Sequence, residues 1–205
     1  MSTTWIFDLD NTLHDAESKI FPLVNIRMNE YISSYLDISI EDASELRQSY
    51  WVTYGATLKG LIKHHNINPI DFLAATHDLQ DFNNLVTPEI NLKETISKIK
   101  GRKIIYTNAP KNYTHRILKI SKVYEMFDEV FTIEDSDFIP KPNQDSMAFF
   151  LKKYNIKKGI FVDDIKENLK TAKNFGLSTI WITDEKIYPT FIDKKIEKVS
   201  DLLTL

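Results

Sequence analysis

The sequence predicts an α/β fold: a doubly wound parallel sheet carrying an inserted, all-helical cap. Three observations support this. A short apolar run, Trp5-Ile6-Phe7, ends in Asp8-Leu9-Asp10. From about Thr87 onward, short apolar runs alternate with amphipathic segments, the pattern of parallel strands joined by crossover helices. Between Asp15 and Val86 no strand pattern occurs. The core domain is therefore placed at residues 1–15 and 87–205, and the cap at 16–86.

The cap elements follow from helical spacing. Ile20, Val24, Met28, Tyr31 and Tyr35 form one apolar stripe, with Pro22 in the first turn, where a missing N–H costs little. A second helix starts at Ser39, with Asp42 three residues on as an acidic variant of the capping box. Its inward face is expected to be Ile40, Ala43, Leu46, Tyr50 and Tyr54. Gly55 interrupts it. Leu58, Leu61 and Ile62 mark a shorter helix whose end, Lys63-His64-His65, reads as solvated. Asn68-Pro69 opens another helix that runs to about Thr76.

The core elements then alternate. Residues 103–107 read as a strand, Tyr113 to Ile120 as a helix and 130–133 as a short strand. Gln144 to Tyr154 is helical, with Met147, Phe150, Leu151 and Tyr154 on one side. Residues 159–162 form a strand. The helix through Ile165, Leu169, Ala172 and Phe175 is closed by Gly176. Residues 179–183 make a last strand.

Composition narrows the class. The chain has 205 residues and a formal net charge of −3, which argues against a nucleic-acid polymer as partner. It contains no cysteine, so disulfides, thiolate nucleophiles and zinc-thiolate sites are excluded. No stretch approaches the roughly 18 apolar residues of a membrane span. The first strand follows the first four residues directly, so no leader is expected. A soluble protein of the reduced cytoplasm is the expectation, as monomer or homodimer. Tyr31, Tyr35 and Trp51 are candidates for cap core or for a dimer contact.

Four polar clusters fall just after four strands: Asp8 and Asp10, Thr107-Asn108, Lys141 within Pro140-Lys141-Pro142, and Asp163-Asp164. Each alone has a plainer reading, as an Asx turn, a strand end, a surface lysine or a helix cap. Together, in a parallel sheet, they meet at the carboxyl edge where such folds bind ligands. Crowded carboxylates repel unless a cation neutralises them, and an all-oxygen site suits Mg²⁺. One carboxylate can attack phosphorus. A second, two residues away, can protonate the leaving oxygen and later deprotonate water. A lysine and a threonine hydroxyl can hold the non-bridging oxygens.

These residues resemble the four motifs of the haloacid dehalogenase superfamily of phosphohydrolases: Phe7-Asp8-Leu9-Asp10-Asn11-Thr12-Leu13, Thr107-Asn108, Lys141, and Val162-Asp163-Asp164 through Asn168. The helical insertion resembles the C1-type cap of that superfamily, on a Rossmann-like core. Tyr54-Gly55 with Thr57-Leu58 and Gly60-Leu61, His77-Asp78, and Glu134-Asp135-Ser136 resemble the pyrimidine 5′-nucleotidase-like subgroup. The resemblance implies Asp8 as nucleophile, Asp10 as general acid and base, and Thr107, Lys141 and Asn108 at the phosphoryl group. It implies Mg²⁺ on Asp8, Asp164 and the main-chain carbonyl of Asp10, with Asp163 acting through water and Asn168 in support. The superfamily often has a further acid where Asn168 stands. Leu9, Asn11 and Ala109 offer main-chain N–H groups. Tyr54, Thr57 and His77 are candidates to face the leaving group.

The expected activity is Mg²⁺-dependent hydrolysis of a small phosphorylated metabolite, with UMP or CMP preferred. The alternatives are a sugar-phosphate phosphatase, a phosphomutase, or a non-catalytic binding or regulatory protein on the same fold. A dehalogenase fits less well, because attack on carbon leaves Asp10 no oxygen to protonate.

Overall fold

The computed structural model describes residues 3–205. Strand β1 (Thr4–Phe7) runs into a tight turn and the two-residue strand β2 (His14–Asp15). Five helices follow: α1 (Ile20–Leu36), α2 (Ile40–Tyr54), α3 (Thr57–His65), α4 (Pro69–His77) and the short α5 (Phe82–Leu85). The chain returns through β3 (Thr87–Pro88) and α6 (Leu92–Lys98). It then alternates: β4 (Arg102–Tyr106), α7 (Lys111–Ile120), β5 (Glu129–Phe131), α8 (Gln144–Lys153), β6 (Ile160–Asp163), α9 (Lys166–Asn174), β7 (Ser178–Ile182) and β8 (Lys194–Ile196).

Six strands form one parallel sheet in the order β5-β4-β1-β6-β7-β8. β1 lies between β4 and β6, so the chain leaves it in one direction and later returns on its other side. That is the switch point where a crevice opens at the strand ends. Pleating decides the two cores. Ile6, Ile104, Tyr106, Phe161 and Trp181 face α8 and α9. The alternating residues Phe7, Ile105, Val162 and Ile180 face the other layer, with Leu92, Ile96, Ile117 and Leu118. With both faces covered, the strands are near-continuous apolar runs, which is what made them legible.

The helical segment has a core of its own, built from Ile32, Ala43, Leu58, Leu61, Ile67, Phe72 and Leu73, with Ile133 reaching it from beyond β5. β2 and β3 pair antiparallel where the chain enters and leaves this segment. Ala16, Ile20, Val24, Leu79 and Phe82 are buried in the main core, so both ends of the segment are anchored to the sheet layer.

Local signals act as expected at several points. The Ser39 hydroxyl accepts from the Asp42 N–H at 3.0 Å and donates to the Asp42 carboxylate at 2.8 Å. Asn68 caps α4 with Pro69 at its first position. Gly55 sits at φ +77°, a left-handed helix end that favours glycine. Other expectations need correction. Ile40 and Tyr35 are exposed rather than inward, because α1 and α2 present their outer turns to solvent. The third strand spans 129–131, not 130–133; Thr132 and Ile133 leave the sheet to meet Asp135 and the helical segment. The periodicity gave no sign of α5, α6 or β8, which are short and, in β8, carry two lysines on an edge. Among the described residues, no helix is long and apolar enough to cross a membrane.

Candidate active site

A cavity of about 730 Å³ opens over the carboxyl ends of β1, β4 and β6 and is roofed by the helical segment. Asp8, Asp10, Thr107, Asn108, Lys141, Asp164 and Asn168 line its floor. The four clusters therefore meet, although they are spread from residue 8 to residue 168.

Asp8 directly follows β1, and its N–H extends the ladder to the Val162 carbonyl at 3.0 Å. Its carboxylate receives the Lys141 ammonium at 2.6 Å. The same ammonium reaches Asp163 at 2.8 Å. Lys141, Asp8 and Asp163 are all buried. Burial works to lower the lysine, but Asp163 and Asp8 outweigh it and hold the ammonium above its usual range. Burial, then Asp163 and Asp164, keep the Asp8 carboxyl well above the usual carboxylate range despite Lys141. Asp164 is pushed up to about 7, first by burial and then by Asp163.

The loop bearing Lys141 is held by its neighbours. Asn108 clasps its main chain: Oδ1 accepts from Lys141 N at 2.7 Å and Nδ2 donates to Lys141 O at 3.2 Å. Thr171 donates to Pro142 O at 2.9 Å. Asn108 was expected to assist at the phosphoryl group; it lines the cavity floor, and its carboxamide fixes the lysine loop. Asp163 was expected to assist a metal through water. Both of its oxygens are engaged, by Lys141, by Asn168 Nδ2 at 3.0 Å and by Ile165 N–H at 2.8 Å, so it also sets the lysine. Asn168, where an acid is common in the resemblance, is a donor to Asp163. With Lys141 as its one close cation among the described residues, Asp163 gains more from an amide than from another carboxylate.

The carboxylates fit a hard cation. Asp8, Asp163 and Asp164 each offer an oxygen within 4.8 Å of the others; burial first, and the neighbouring carboxylates after it, make the charged forms of Asp8 and Asp164 costly, and a cation there would offset that cost. Trp181 Nε1 donates to Asp164 O at 2.7 Å and fixes that turn. Asn11, at φ +57°, accepts from Ala16 and Glu17 N–H and shapes the loop after Asp10. The Leu9 side chain is fully buried, so only its main chain can face a ligand.

The cap candidates divide. His77 lines the cavity, and burial pushes its imidazole down to about 4. Thr57 lines it too, but its hydroxyl donates to Arg47 O at 3.0 Å. Tyr54 does not belong to the cavity lining. Its hydroxyl pairs with His64 Nε2 at 2.6 Å on the outer side of α2 and α3, so the expectation for Tyr54 is corrected. Tyr54 lies one turn beyond Trp51, where its ring packs edge-on against Tyr50 at 5.7 Å beside α3. Trp51, 64% exposed, is the one at the cavity.

Sequence reasoning missed three site residues. Tyr113 and His14 both reach Asp10. Arg47 enters from α2, with Nε donating to Asn29 Oδ1 at 2.9 Å and Nη1 to Asn25 Oδ1 at 3.0 Å. Arg47 stands amid helix surface residues, and no local pattern separates it from an ordinary solvated arginine.

With this geometry in place, the comparisons identify the class. The chain belongs to the haloacid dehalogenase-like hydrolases, whose family profile matches residues 5–182. It is 26% identical over 199 residues to phosphate metabolism protein 8 of Saccharomyces cerevisiae; the match covers 86% of this chain but 60% of the yeast protein. It is 24% identical over 219 residues to the pyrophosphatase PpaX of Bacillus mycoides, covering 98% of this chain and 95% of that one. The fold matches that of a HAD phosphatase from Thermococcus onnurineus, with a TM-score of 0.70, 19% identity, and coverage of 100% and 97%.

Proposed function

We propose that this chain is a Mg²⁺-dependent phosphomonoesterase working through an aspartyl-phosphate on Asp8. The substrate is a small phosphorylated metabolite, with a pyrimidine nucleoside 5′-monophosphate, UMP or CMP, in first place. The observation that carries this reading is the convergence of Asp8, Asp10, Thr107, Lys141 and Asp164 on one cavity.

A magnesium ion held by Asp8, Asp164 and the Asp10 main-chain carbonyl would offset the carboxylate charge and that of the phosphoryl oxygens. The protein's own groups do the rest. An Asp8 oxygen attacks phosphorus and the bond to the leaving oxygen breaks, while Asp10 gives that oxygen its proton. Asp10 then takes a proton from water as the water attacks the phosphorus. The Asp8–phosphorus bond breaks, phosphate leaves and the Asp8 carboxylate is restored. Lys141 keeps Asp8 aimed, and with Thr107 it offers positive charge and a hydroxyl to the non-bridging oxygens.

Three observations support a small organic leaving group. The cavity volume is within the range of about 300–1,000 Å³ typical of small-molecule sites. Its roof mixes Phe21, Met28, Trp51 and Phe72 with Arg47 and Gln48. The stretch from Tyr54 to Leu61 has the pattern of the pyrimidine nucleotidase-like subgroup, and the helical segment is proposed as a C1-type cap. A cytoplasmic setting belongs to the same proposal.

The test is a phosphate-release panel of UMP, CMP, sugar phosphates and pyrophosphate, with and without EDTA. Metal-dependent release, with the highest kcat/KM on UMP or CMP, is expected. A higher value for a sugar phosphate or pyrophosphate reassigns the substrate, and an isomerised sugar phosphate makes the protein a mutase. No metal-dependent turnover of any member ends the enzymatic reading.

A further inference from the structure

Two buried donors converge on one oxygen of Asp10. Tyr113 Oη donates to Asp10 Oδ1 at 2.6 Å, and His14 Nε2 lies 2.8 Å from the same atom. His14 is 1% exposed and Tyr113 is 3% exposed. The other ring nitrogen of His14, Nδ1, is buried with no hydrogen-bond partner. A proton on Nδ1 would be an unpaired buried N–H, the costlier arrangement. The ring proton therefore sits on Nε2 and points at Asp10. Oδ1 then accepts two hydrogen bonds. Among the described residues none falls on Oδ2, while Asp10 lines the cavity.

Tyr113 is held in turn from the helical segment. His77 meets its ring edge-to-face at 5.5 Å and 79°, and Phe82 does so at 5.5 Å and 75°. His14 lies in β2, whose partner β3 is the returning strand of the same segment. Both donors thus stand where the cap joins the sheet layer.

We infer that Tyr113 and His14 are positioning residues for proton transfer: they fix Asp10 Oδ1 so that Oδ2 alone meets the leaving oxygen. The cap, through His77 and Phe82, keeps Tyr113 in place. The inference rests on the role of Asp10 in the proposed phosphatase reaction.

Leaving-group dependence isolates this role. p-Nitrophenolate is stable enough to depart unprotonated, whereas phenolate is more basic and gains more from an acid. The two esters are close in shape, so the cap treats them alike. The experiment measures kcat/KM, which reports phosphoryl transfer to Asp8, for p-nitrophenyl phosphate and phenyl phosphate with Mg²⁺ present. Tyr113→Phe is expected to lose about tenfold or more on phenyl phosphate and less than about threefold on p-nitrophenyl phosphate. His14→Phe should behave in the same way. His14→Gln, whose amide can still donate, should recover most of the loss. Thermal melts establish that each variant is folded. Equal losses on both esters, or no loss on phenyl phosphate, overturn the positioning role while leaving the phosphatase reading intact. Wild-type protein that hydrolyses neither ester and releases no phosphate from UMP, CMP, a sugar phosphate or pyrophosphate removes both.

Discussion

The Lys141 ammonium lies 2.6 Å from the Asp8 carboxylate across 133 positions of sequence, with both side chains buried. A buried charge is tolerable only when paired, and this lysine is paired twice, with Asp8 and with Asp163. The pairing aims the carboxylate proposed as nucleophile and leaves the remaining carboxylate charge for a cation.

Lys141→Met leaves Asp8 and Asp163 without their cation. Phosphate release is expected to fall by about 10² or more, the cost of losing one transition-state donor. Breaking a buried pair costs about 3–5 kcal/mol. The orphaned carboxyls can take up protons, so the stability deficit should be smaller at pH 5 than at pH 8. Melting curves at the two pH values decide this; an equal deficit at both would contradict the ion-pair account.

Asp8→Asn should abolish turnover while the protein stays folded. The Asp8 carboxyl is held well above its usual range, first by burial and then by Asp163 and Asp164. Its folded form binds a proton more tightly than the unfolded chain does. The stability it contributes is full at low pH and lost as pH rises through the folded value. At pH 7 without metal, the variant should therefore melt at or above wild type. Added Mg²⁺ should raise the melting temperature of wild type more than that of Asp8→Asn or Asp164→Asn. A metal response unchanged in both variants would remove these residues from the ion site.

Arg47 carries its charge into the cavity, where its guanidinium donates to Asn25 and Asn29. Burial lowers its pKa, and among the described residues no acid offsets that. Such a cation is suited to an acceptor on the leaving group. Arg47→Gln should cost about 10-fold or more in kcat/KM for UMP, mostly through KM, the size of one hydrogen bond to a charged group. The loss should be larger for UMP than for p-nitrophenyl phosphate. Equal losses would place Arg47 in the packing of the helical segment rather than in recognition.

His77 is buried and pushed down to about 4. The unfolded chain takes up this proton near pH 6.5 and the folded one does so only near 4. Stability from this group is complete above the unfolded value and is lost as pH falls from about 6.5 to about 4. The full shift corresponds to at most about 3 kcal/mol. His77→Gln should flatten the acid side of the stability profile between those pH values, measured by urea unfolding. A variant with an unchanged slope would show that other groups set acid stability.

Gly60 is where α3 meets α2: a Cβ there would stand 2.3 Å from Tyr50 Cγ. In an open helix, Gly→Ala stabilises by up to about 1 kcal/mol. Here the sign reverses, and overpacking should cost about 1–3 kcal/mol. A urea melt of Gly60→Ala checks it, and a gain in stability would mean that the two helices are not in close contact.

Most of the fold is legible in the chain because burial on both faces writes itself into the strands. Ile104-Ile105-Tyr106 and Ile160-Phe161-Val162 could be little else, and each is followed at once by its polar residues. Asp8, Thr107 and Asp164 were readable for that reason, since a strand end is a one-dimensional signal; Lys141, ten residues beyond β5, was readable from the prolines on either side of it. The short elements α5, α6 and β8 have too few residues for a period to show.

The sequence by itself determined the alternating architecture, the strand-end carboxylates and the proline-flanked lysine, since each is encoded by neighbours along the chain. Only the tertiary structure decided that Tyr113 and His14 grip Asp10, that Asn108 and Asp163 serve Lys141, and that Trp51 and Arg47 rather than Tyr54 line the cavity. Those choices depend on which face of a helix turns inward and on partners scores of residues away. No local preference fixes either; packing of the whole chain does.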